Sequence, residues 1–220
     1  MSGSVKDDVV AADDIRIVTL TADLAPQCAA LEAAAFPYAE PEDLLNEEDI
    51  KVYSTVFAEG FFVALDGDRV AGQAAGIFLD FDFAHPQHTI AGITGDHQCA
   101  NHNPDGQWYY GTDMVVAADY RRRGIGSRLY EVRKDLVRRF NRRGIIAGGH
   151  LAGYGRYKDQ MDTASYLQKV SERELYDPTL SFQMDNGFRL VTILHEYIRD
   201  QMTNGDSALI VWDNPDYRPV

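Results

Sequence analysis

Residues 108–143, WYYGTDMVVAADYRRRGIGSRLYEVRKDLVRRFNRR, decide the fold of this chain. They begin with an apolar run rich in β-branched and aromatic residues that ends at Val116, which predicts a buried strand. A short turn follows, and then the basic sequence RRRGIG at 121–126. After it, apolar residues recur at helical spacing and describe one face of a helix: Ile125, Leu129, Val132, Leu136 and Phe140. The stretch therefore predicts a strand, a basic turn and an amphipathic helix in that order.

The basic turn predicts a site for a phosphate or pyrophosphate. The first turn of a helix has backbone N–H groups without intrahelical acceptors and carries the positive end of the helix dipole. Glycines at 124 and 126 have no Cβ, so an anion can approach the backbone closely. A Walker loop is excluded because no lysine follows Gly126, and a dinucleotide fingerprint lacks its third glycine because Leu129 stands there. The alternative is an ordinary strand–turn–helix junction with solvated arginines.

The pattern Arg-x-x-Gly-x-Gly, from Arg121 to Gly126 after a strand, resembles the acyl-CoA motif of the GNAT superfamily of N-acetyltransferases. The agreement extends over DMVVAADYRRRGIGSRLY, and NGF at 186–188 resembles the family's Gly-Phe ending of its last helix. The segments NPDGQWYYGTD, AGGHLAGY and DPTLSFQMDNGF are similar to the GNAT modules found fused to carbon–nitrogen hydrolase domains. The resemblance covers residues 15–213.

The resemblance implies an α/β fold of GNAT type, with a mixed, mostly antiparallel sheet splayed at a central parallel strand pair and helices on both faces. It implies one N-acetyltransferase domain at 15–213, between a flexible segment at 1–14 and a tail at 214–220. The co-substrate would be acetyl-CoA. Its pantetheine chain would bind the free backbone groups of Met114, Val115 and Val116. Its phosphates would bind the turn that contains Arg121, Arg122, Arg123, Gly124, Ile125, Gly126 and Ser127.

Length and composition limit the class of protein to which the chain can belong. A chain of 220 residues suits one α/β domain, so we expect a standalone version of the module without a hydrolase domain. Its 45% apolar and 11% aromatic content is typical of a globular protein, and no apolar run is long enough to span a bilayer. Residues 1–14 lack the pattern of a secretion signal, and two cysteines favour a reducing cytoplasm. The sequence leaves open a bond between Cys28 and Cys99.

Charge is unevenly distributed along the chain. Residues 121–143 hold ten basic and two acidic side chains, a net +8, so the rest carries −21 of the total of −13. The start of the basic helix is interpreted as an anion site. The rest of the helix is interpreted as a solvated basic face, because Arg133, Arg138 and Arg142 lie too far along it to reach a pyrophosphate. Nucleic acid is disfavoured as a partner because an acidic chain repels a polyanion.

The remaining elements follow from periodicity and turn signals. Strands are predicted at 15–20, 61–65, 70–79 and 144–151, the last parallel to the strand at 108–116 because a helix connects them. Helices are predicted after Thr21 or Asp23 as a cap, at 42–58, and at 163–174 within a charged insertion. Asp177-Pro178 starts a short helix that ends at 186–187. Residues 188–198 and 207–212 predict a closing antiparallel pair.

Residues 80–107 are the least regular part of the chain. They hold four of the six histidines, and these together with Cys99 and several aspartates raise the hypothesis of a metal site. Its candidate ligands besides Cys99 are His85, His88, His97, His102, Asp80, Asp82 and Asp96. The ligand spacings that would make such a site specific are absent. We therefore predict polar loop residues near an acceptor site and no metal.

Acetyl transfer to an amine needs a polarised thioester, a neutral amine and a proton for the thiolate. In the family, a tyrosine four residues before the glycine of the Gly-Phe ending often supplies that proton. Here the position is Gln183, which donates a hydrogen bond but cannot deliver a proton. Tyr154, Tyr166 and Tyr176 are alternative acids from the insertion.

Asp113 is the best candidate for the base, because it enters the central strand just before the pantetheine-binding residues. Tyr110 and His150 are second choices, and a structural role is the competing interpretation for both Asp113 and His150. His195 alternates with apolar neighbours and is read as an ordinary strand residue.

The sequence therefore predicts an enzyme that moves an acetyl group from acetyl-CoA to a primary amine in a direct ternary complex. The alternative is a non-catalytic acyl-CoA-binding or regulatory module, motivated by Gln183. The acceptor would be a small-molecule or peptide amine, with a cationic one favoured by the acidic surroundings. No nucleic acid and no membrane is expected as a partner, and a homodimer is left open.

Overall fold

The structure, a computed structural model, describes residues 15–219. Within them, seven strands form one sheet in the order β1-β2-β3-β4-β5-β7-β6. The strands are β1 (Ile15–Thr19), β2 (Phe62–Asp66), β3 (Arg69–Leu79), β4 (Trp108–Val116), β5 (Gly144–His150), β6 (Arg189–Leu194) and β7 (Ser207–Asp213). Neighbours pair antiparallel except β4 and β5, which are parallel. The predicted mixed sheet with a central parallel pair is confirmed, and the predicted flexible segment at 1–14 lies outside the described residues.

Helices cover both faces of this sheet, as predicted. They are α1 (Ala25–Ala35), α2 (Glu47–Val56), α3 (Ile90–Thr94), α4 (Ile125–Arg139), α5 (Thr163–Ser171) and α6 (Leu180–Asp185). The first three contribute Cys28, Ile50 and Ile90 to a core cluster on one face. On the other face α4, α5 and α6 bury apolar side chains such as Tyr130 and Leu167. Each helix thus buries an apolar stripe against the sheet, which is the main stabilising contribution in a layered α/β domain.

The two parallel strands separate along their length. β4 and β5 pair over four residues, from Trp108 opposite Gly144 to Gly111 opposite Ala147. Thr112 is an extra residue in β4, because Gly111 and Asp113 face consecutive residues of β3, and such a bulge bends its strand. Beyond this point β4 pairs only with β3, and β5 pairs only with β7. The strand edges that face each other are therefore unpaired, which confirms the splayed pair that the resemblance implied.

Several predicted boundaries in the first half of the chain were wrong. The second helix begins at Glu47 rather than at residue 42, because the Asn46 side chain accepts hydrogen bonds from two backbone N–H groups and the Asp49 carboxylate accepts one from the Asn46 N–H. Residues 41–43 form a separate 3₁₀ turn. The predicted cap at Thr21 or Asp23 is also wrong, because a 3₁₀ turn at 22–24 leads directly into α1 without a side-chain cap.

In the second half of the chain the predicted order of elements is confirmed, although α5 ends at Ser171 and not at residue 174. Asp177 caps α6 by accepting hydrogen bonds from the Thr179 and Leu180 N–H groups. Gly187 follows α6 with φ of 87°, the left-handed conformation that ends a helix. The described part of the tail packs on the sheet, since the Asn214 N–H donates to the Arg143 carbonyl.

Candidate functional site

A cavity of about 120 Å³ lies where β4 and β5 separate. We call its sides the β4 wall and the β5 wall. Residues Gly111–Met114 belong to the β4 wall, and Ala147, Gly148 and His150 belong to the β5 wall. Other elements close the remaining sides with side chains that include Glu32, Asp43, Tyr130, Arg133, Gln183 and Tyr197. The separation of the strands thus creates a polar cavity in the middle of an apolar domain.

A pair of carboxyl groups occupies the β4 wall. The Gln73 amide donates to Asp113 at 2.7 Å and lies 3.4 Å from Glu32. Burial, and then the charge of Asp113, raise the pKa of the Glu32 carboxyl well above its ordinary value. Burial also raises the pKa of Asp113, although hydrogen bonds from Glu32 and Gln73 oppose that rise. Burial and the charge of Asp113 thus make Glu32 the carboxyl group of the pair that holds its proton more tightly.

Arg133 lies against the same wall and corrects a prediction. The sequence placed Arg133 on the solvated face of the basic helix, but its side chain is 2% exposed. Its guanidinium donates to the carbonyls of Ala75 and Asp113, at the point where the β4 bulge disturbs the pairing with β3. The positive charge also opposes the rise in the pKa of Asp113. Arg133 thus satisfies backbone groups that the bulge frees, and Gly111 leaves room for it, because a Cβ there would lie 3.2 Å from Nη1.

The β5 wall carries a histidine–aspartate pair. His150 ends β5, and its Nε2 lies 3.1 Å from the Asp200 carboxylate, which is buried. The pKa of Asp200 would be raised by burial, but hydrogen bonds from His150 and the Met202 N–H outweigh burial and lower it. The ring also packs edge-on against Phe36. Asp200 thus orients the imidazole and leaves Nδ1 as the ring nitrogen that can meet a ligand.

Tyr197 places a hydroxyl in the gap between the strands. A Cβ on Gly148 would lie 2.4 Å from the Tyr197 ring and 2.8 Å from its hydroxyl oxygen, so the glycine permits this close approach. The Gly148 N–H, which has no partner on β4, donates to the Tyr197 hydroxyl. Tyr110, predicted as a second-choice base, does not line the cavity. Its hydroxyl is fully buried behind Tyr197, 3.1 Å from the Tyr197 hydroxyl.

The position expected for the family's acidic tyrosine does face the cavity. Gln183 lines it, and its Oε1 is buried without a hydrogen-bond partner in residues 15–219. The alternative acids from the insertion are placed elsewhere. The Tyr166 hydroxyl donates to Asp177, the Tyr154 hydroxyl donates to the Met161 carbonyl, and Tyr176 is 70% exposed. None of these three tyrosines lines the cavity among the described residues.

The predicted phosphate turn has the backbone geometry of an anion site. Gly124 is the N-cap of α4 with φ of 78°, a left-handed conformation that suits glycine, and the space where its Cβ would lie is open. Two of the three arginines fold back on the turn: Arg121 donates to the Val116 carbonyl at 3.2 Å, and Arg123 donates to the Asp119 carbonyl at 2.9 Å. Arg122 is exposed and makes no such bond within residues 15–219.

The phosphate turn and the cavity are connected along β4. Met114, Val115 and Val116 run from the cavity to the turn, and their outer edge faces the gap because β4 pairs only with β3 there. A second cavity, of about 380 Å³, opens beside Val116 and Arg121 and is bounded by α1. The residues predicted for the pantetheine chain and the phosphates are therefore brought together along one strand edge.

Comparison with known proteins places this arrangement in a family. The model of the acetyltransferase (GNAT) family matches residues 25–147, which contain α1, β4, α4 and the start of β5. The chain belongs to the GNAT acetyltransferase family. The uncharacterised N-acetyltransferase YkwB of Bacillus subtilis (strain 168) is 29% identical over 191 residues, covering 86% of this chain and 84% of YkwB. The probable hydrolase YhcX of the same organism is 39% identical over 190 residues, and the chain spans 36% of its length.

Solved GNAT structures share the fold at low identity. The GNAT-like decarboxylase GphF, solved with isobutyryl-CoA, has a TM-score of 0.77 and 19% identity, covering 90% of this chain and 99% of GphF. The yncA protein of Salmonella typhimurium, solved with acetyl-CoA, has a TM-score of 0.57 and 10% identity, covering 94% of this chain and 97% of that protein. Each of these two proteins was solved with a CoA thioester bound.

The loop histidines support the fold of the segment at 80–107. His102 Nδ1 accepts a hydrogen bond from the Phe78 N–H, His97 is buried, and His85 pairs with Asp82. No group of three or more His, Cys, Asp or Glu in residues 15–219 could hold a metal ion. Both cysteines are buried and unbonded to each other. None of the helices described is long and apolar enough to cross a membrane.

Sequence reasoning missed four residues of the site: Glu32, Gln73, Asp200 and Tyr197. Glu32 is a buried acid in an Ala-rich helix, and an acid on an apolar helix face is the only local signal that could have identified it. Gln73 is a polar residue within an otherwise apolar strand. The predicted strand at 188–198, which included His195 and Tyr197, was wrong at its end, because β6 ends at Leu194. Tyr197 and Asp200 lie in the connection to β7, so their place in the site depends on tertiary structure.

Proposed function

We propose that this chain transfers an acetyl group from acetyl-CoA directly to a primary amine. The observation that carries the proposal is the continuous edge of β4, which links the phosphate turn to a cavity whose opposite walls hold a negative carboxyl pair and an oriented histidine. A direct transfer is favoured because both cysteines are buried away from the cavity, which leaves no thiol as an intermediate acyl carrier.

The donor would bind along β4. Backbone N–H groups of the turn at 121–127, together with Arg122, would hold the pyrophosphate at the positive end of α4. The free edge of residues 114–116 would bind the amide groups of the pantetheine chain. The thioester would then lie in the gap beyond Gly111, between the two walls of the cavity.

The acceptor would be a cationic amine. The Glu32–Asp113 pair would present a negative charge to the cavity, because the Arg133 guanidinium donates to backbone carbonyls and forms no ion pair with either carboxyl group within residues 15–219. Asp43, by contrast, is paired with Arg199 at 2.9 Å. An alkyl ammonium ion supplies the opposite charge and up to three N–H donors. It would then lose a proton, because only the neutral amine has the electron pair that attacks the thioester.

Two residues are candidates for the base that takes the proton released on attack, Asp113 on the β4 wall and His150 on the β5 wall. Asp113 already accepts hydrogen bonds from Gln73 and Glu32, whereas His150 has one ring nitrogen left for a ligand. The amine nitrogen forms a bond to the acetyl carbon, the carbon–sulfur bond breaks, and the sulfur takes a proton to give CoA-SH. We propose His150 as the base and the carboxyl pair as the binding charge.

The experiment is release of free CoA from acetyl-CoA across a panel of cationic and neutral primary amines. Amine-dependent release with formation of the acetylated amine supports the proposal. CoA binding without release by any amine supports the alternative of a non-catalytic acyl-CoA-binding module. Calorimetric titration with CoA supplies that binding measurement.

A matched pair of glycine variants tests the phosphate turn. Gly124 and Gly67 both have positive φ and open space at the Cβ position, but only Gly124 lies at the start of α4. Gly124→Glu should abolish CoA binding because it places a carboxylate at the anion site, and Gly67→Glu should leave binding intact. Gly126→Glu has the same predicted effect on binding, but a Cβ there also meets the Phe182 ring at 2.8 Å. Unchanged CoA affinity in folded Gly124→Glu would remove the donor site from the turn.

A second candidate function is decarboxylation of an acyl-CoA, favoured by the higher TM-score of the GNAT-like decarboxylase GphF. Such a reaction breaks the bond between the α-carbon and the carboxylate carbon of an α-carboxyacyl thioester, releases CO₂, and adds a proton to the α-carbanion that the thioester carbonyl stabilises. The negative carboxyl pair in the cavity disfavours it, because it would repel the substrate's carboxylate. Release of CO₂ from an α-carboxyacyl-CoA, with no amine-dependent CoA release, would establish this function in place of the first.

A further inference from the structure

A chain of three side chains leads from the cavity to the loop at 80–107. It starts at Tyr197, which lines the cavity, and continues through the Tyr110 hydroxyl at 3.1 Å. Tyr110 is in turn 2.6 Å from His88 Nε2. His88 is only partly buried, and its Nδ1 lies 2.7 Å from the Pro86 carbonyl oxygen. The chain therefore joins the middle of the domain to a side chain within reach of solvent.

The Pro86 carbonyl fixes the direction of every hydrogen bond in this chain. A carbonyl only accepts, so His88 Nδ1 carries a proton and donates it. In neutral His88, Nε2 then has a lone pair and must accept from the Tyr110 O–H. Because the single Tyr110 proton is then donated to neutral His88, the hydrogen bond across the 3.1 Å between the two tyrosine oxygens must use the Tyr197 proton in this state. Tyr197 therefore turns its proton away from the cavity and keeps a lone pair for a donor there, in addition to the Gly148 N–H.

The surroundings favour this neutral state of His88. Burial lowers the pKa of its imidazole, and the Pro86 hydrogen bond opposes that fall only in part. Within residues 15–219, the ring contacts and hydrogen bonds of His88 are with Phe81, Pro86, Tyr110 and Tyr197, so the titratable groups that face it are the two tyrosine hydroxyls. Both phenols have a pKa raised by burial and stay protonated.

We propose that Tyr197, Tyr110 and His88 form a proton exit, through which the acceptor ammonium bound in the cavity loses its proton to His88. This inference rests on the proposed function. Tyr197 would be the catalytic residue that touches the amine, and Tyr110 and His88 would act through it.

The proton balance of acetyl transfer calls for such an exit. An ammonium ion arrives with three protons on nitrogen, and the amide product keeps one. Of the two that leave, one ends on the sulfur of CoA and one must reach solvent. In the exit, the ammonium gives a proton to the Tyr197 oxygen, Tyr197 gives its own to Tyr110, and Tyr110 gives its own to His88 Nε2. The resulting imidazolium loses its Nε2 proton to solvent and keeps the Nδ1 proton on the Pro86 carbonyl. The two tyrosine hydroxyls then rotate, so that Tyr110 again donates to His88 and Tyr197 again donates to Tyr110.

The test compares pH profiles of kcat/KM for total amine in the wild-type enzyme and in Tyr110→Phe. With the exit intact, the enzyme uses the ammonium form, so kcat/KM should be nearly flat between the pKa of His88 and that of the amine. It should fall at lower pH because imidazolium cannot accept a proton. The Tyr110→Phe variant can use only the deprotonated amine from solution. Its kcat/KM for total amine should therefore be about 10²-fold lower at neutral pH and should rise about tenfold for each pH unit.

Tyr109→Phe is the matched control. Tyr109 is the adjacent residue of β4, is equally buried, and loses one hydrogen bond, to the Gly60 carbonyl, but it points to the other face of the sheet. Its pH profile should keep the wild-type shape. His88→Gln, in the loop, is a second test if Tyr110→Phe does not fold, because glutamine keeps a polar group but accepts no proton.

The outcomes separate the two proposals. An active wild-type enzyme whose profile is unchanged in folded Tyr110→Phe or in His88→Gln overturns the proton exit and leaves the acetyltransferase standing. A steep profile in Tyr109→Phe as well would make the effect one of general stability and also overturn the exit. A wild-type enzyme that acetylates no amine at any pH overturns the proposed function and the exit with it.

Discussion

On the β4 wall of the cavity, Asp113 is surrounded by partners from the core: the Gln73 amide, the Glu32 carboxyl and, on its backbone carbonyl, Arg133. On the β5 wall, His150 has a single partner, Asp200, and the neighbouring Gly148 faces a tyrosine that belongs to a chain of hydroxyls. A carboxylate with several fixed donors is a stable charge, whereas a base with a free lone pair can accept a proton. The comparison assigns charge to the β4 wall and proton transfer to the β5 wall.

The difference arises from how each strand is paired. The β4 wall contains the bulge opposite β3, and the bulge leaves backbone carbonyls without strand partners. Arg133 is buried because it donates to these carbonyls, and the two acids lie on the same wall. β5 continues without a bulge against β7, and glycines at 148 and 149 leave space beside it for Tyr197 and Gln183. A regular strand edge with small residues keeps room for a substrate, whereas a bulged edge is filled by the protein's own side chains.

The largest effect that tests this comparison is on turnover. His150→Gln should lower kcat by about 10²–10⁴-fold with CoA affinity unchanged, because it removes the base but not the donor site. Asp113→Asn should act mainly on the KM for cationic amines, because it removes the binding charge. Steady-state kinetics with one cationic and one neutral amine separates the two effects. A greater loss of kcat in Asp113→Asn than in His150→Gln would reverse the roles of the two walls.

The next effect is on stability, and it concerns the β4 wall alone. Arg133→Met should lower the free energy of unfolding by about 3–5 kcal/mol, because it leaves two buried carbonyls without donors and Asp113 without its cation. Arg138→Met, on the same helix but in exposed pairs, should change it by less than about 1 kcal/mol. Urea unfolding followed by circular dichroism measures both. Equal small losses would mean that the β4 wall does not depend on a buried cation.

The carboxyl pair also predicts how stability depends on pH. The pKa of Glu32 is raised by burial and by Asp113, so the folded protein binds a proton that the unfolded chain has lost above its own carboxyl pKa. This contribution to the free energy of unfolding is complete below the Glu32 pKa of the unfolded chain. It is lost as the pH rises through the Glu32 pKa of the folded protein, by up to about 1.4 kcal/mol for each pH unit. Glu32→Gln, which stays neutral, should remove that slope. Glu48→Gln, an exposed acid, should leave it in place in urea unfolding at a series of pH values.

These predictions also separate what the sequence could reveal from what it could not. The strand, turn and helix from Trp108 to Arg139 were predicted because periodicity and glycine chemistry are local. Arg133 was assigned to solvent because helical periodicity gives the face of a residue but not the bulge that needs its charge. Tyr110 was proposed as a base from its position on β4, yet its hydroxyl lies behind Tyr197, whose location depends on a connection 87 residues away in sequence.

The smallest effect concerns Arg121, where the β4 wall meets the phosphate turn. Its side chain is exposed and donates to the Val116 carbonyl, so it closes the end of the β4 edge as well as adding charge to the turn. Arg121→Ala should weaken CoA binding by up to about 1 kcal/mol, roughly fivefold in Kd, because an exposed contact is screened by solvent and salt. Arg121→Gln, which keeps a donor but no charge, should recover part of the loss if the carbonyl bond matters. Calorimetric titration at two salt concentrations distinguishes the causes: a loss confined to low salt is electrostatic, and one that persists at high salt belongs to the strand end. A loss above about a hundredfold in Arg121→Ala would instead make Arg121 the main phosphate ligand and reduce the part played by the backbone of α4.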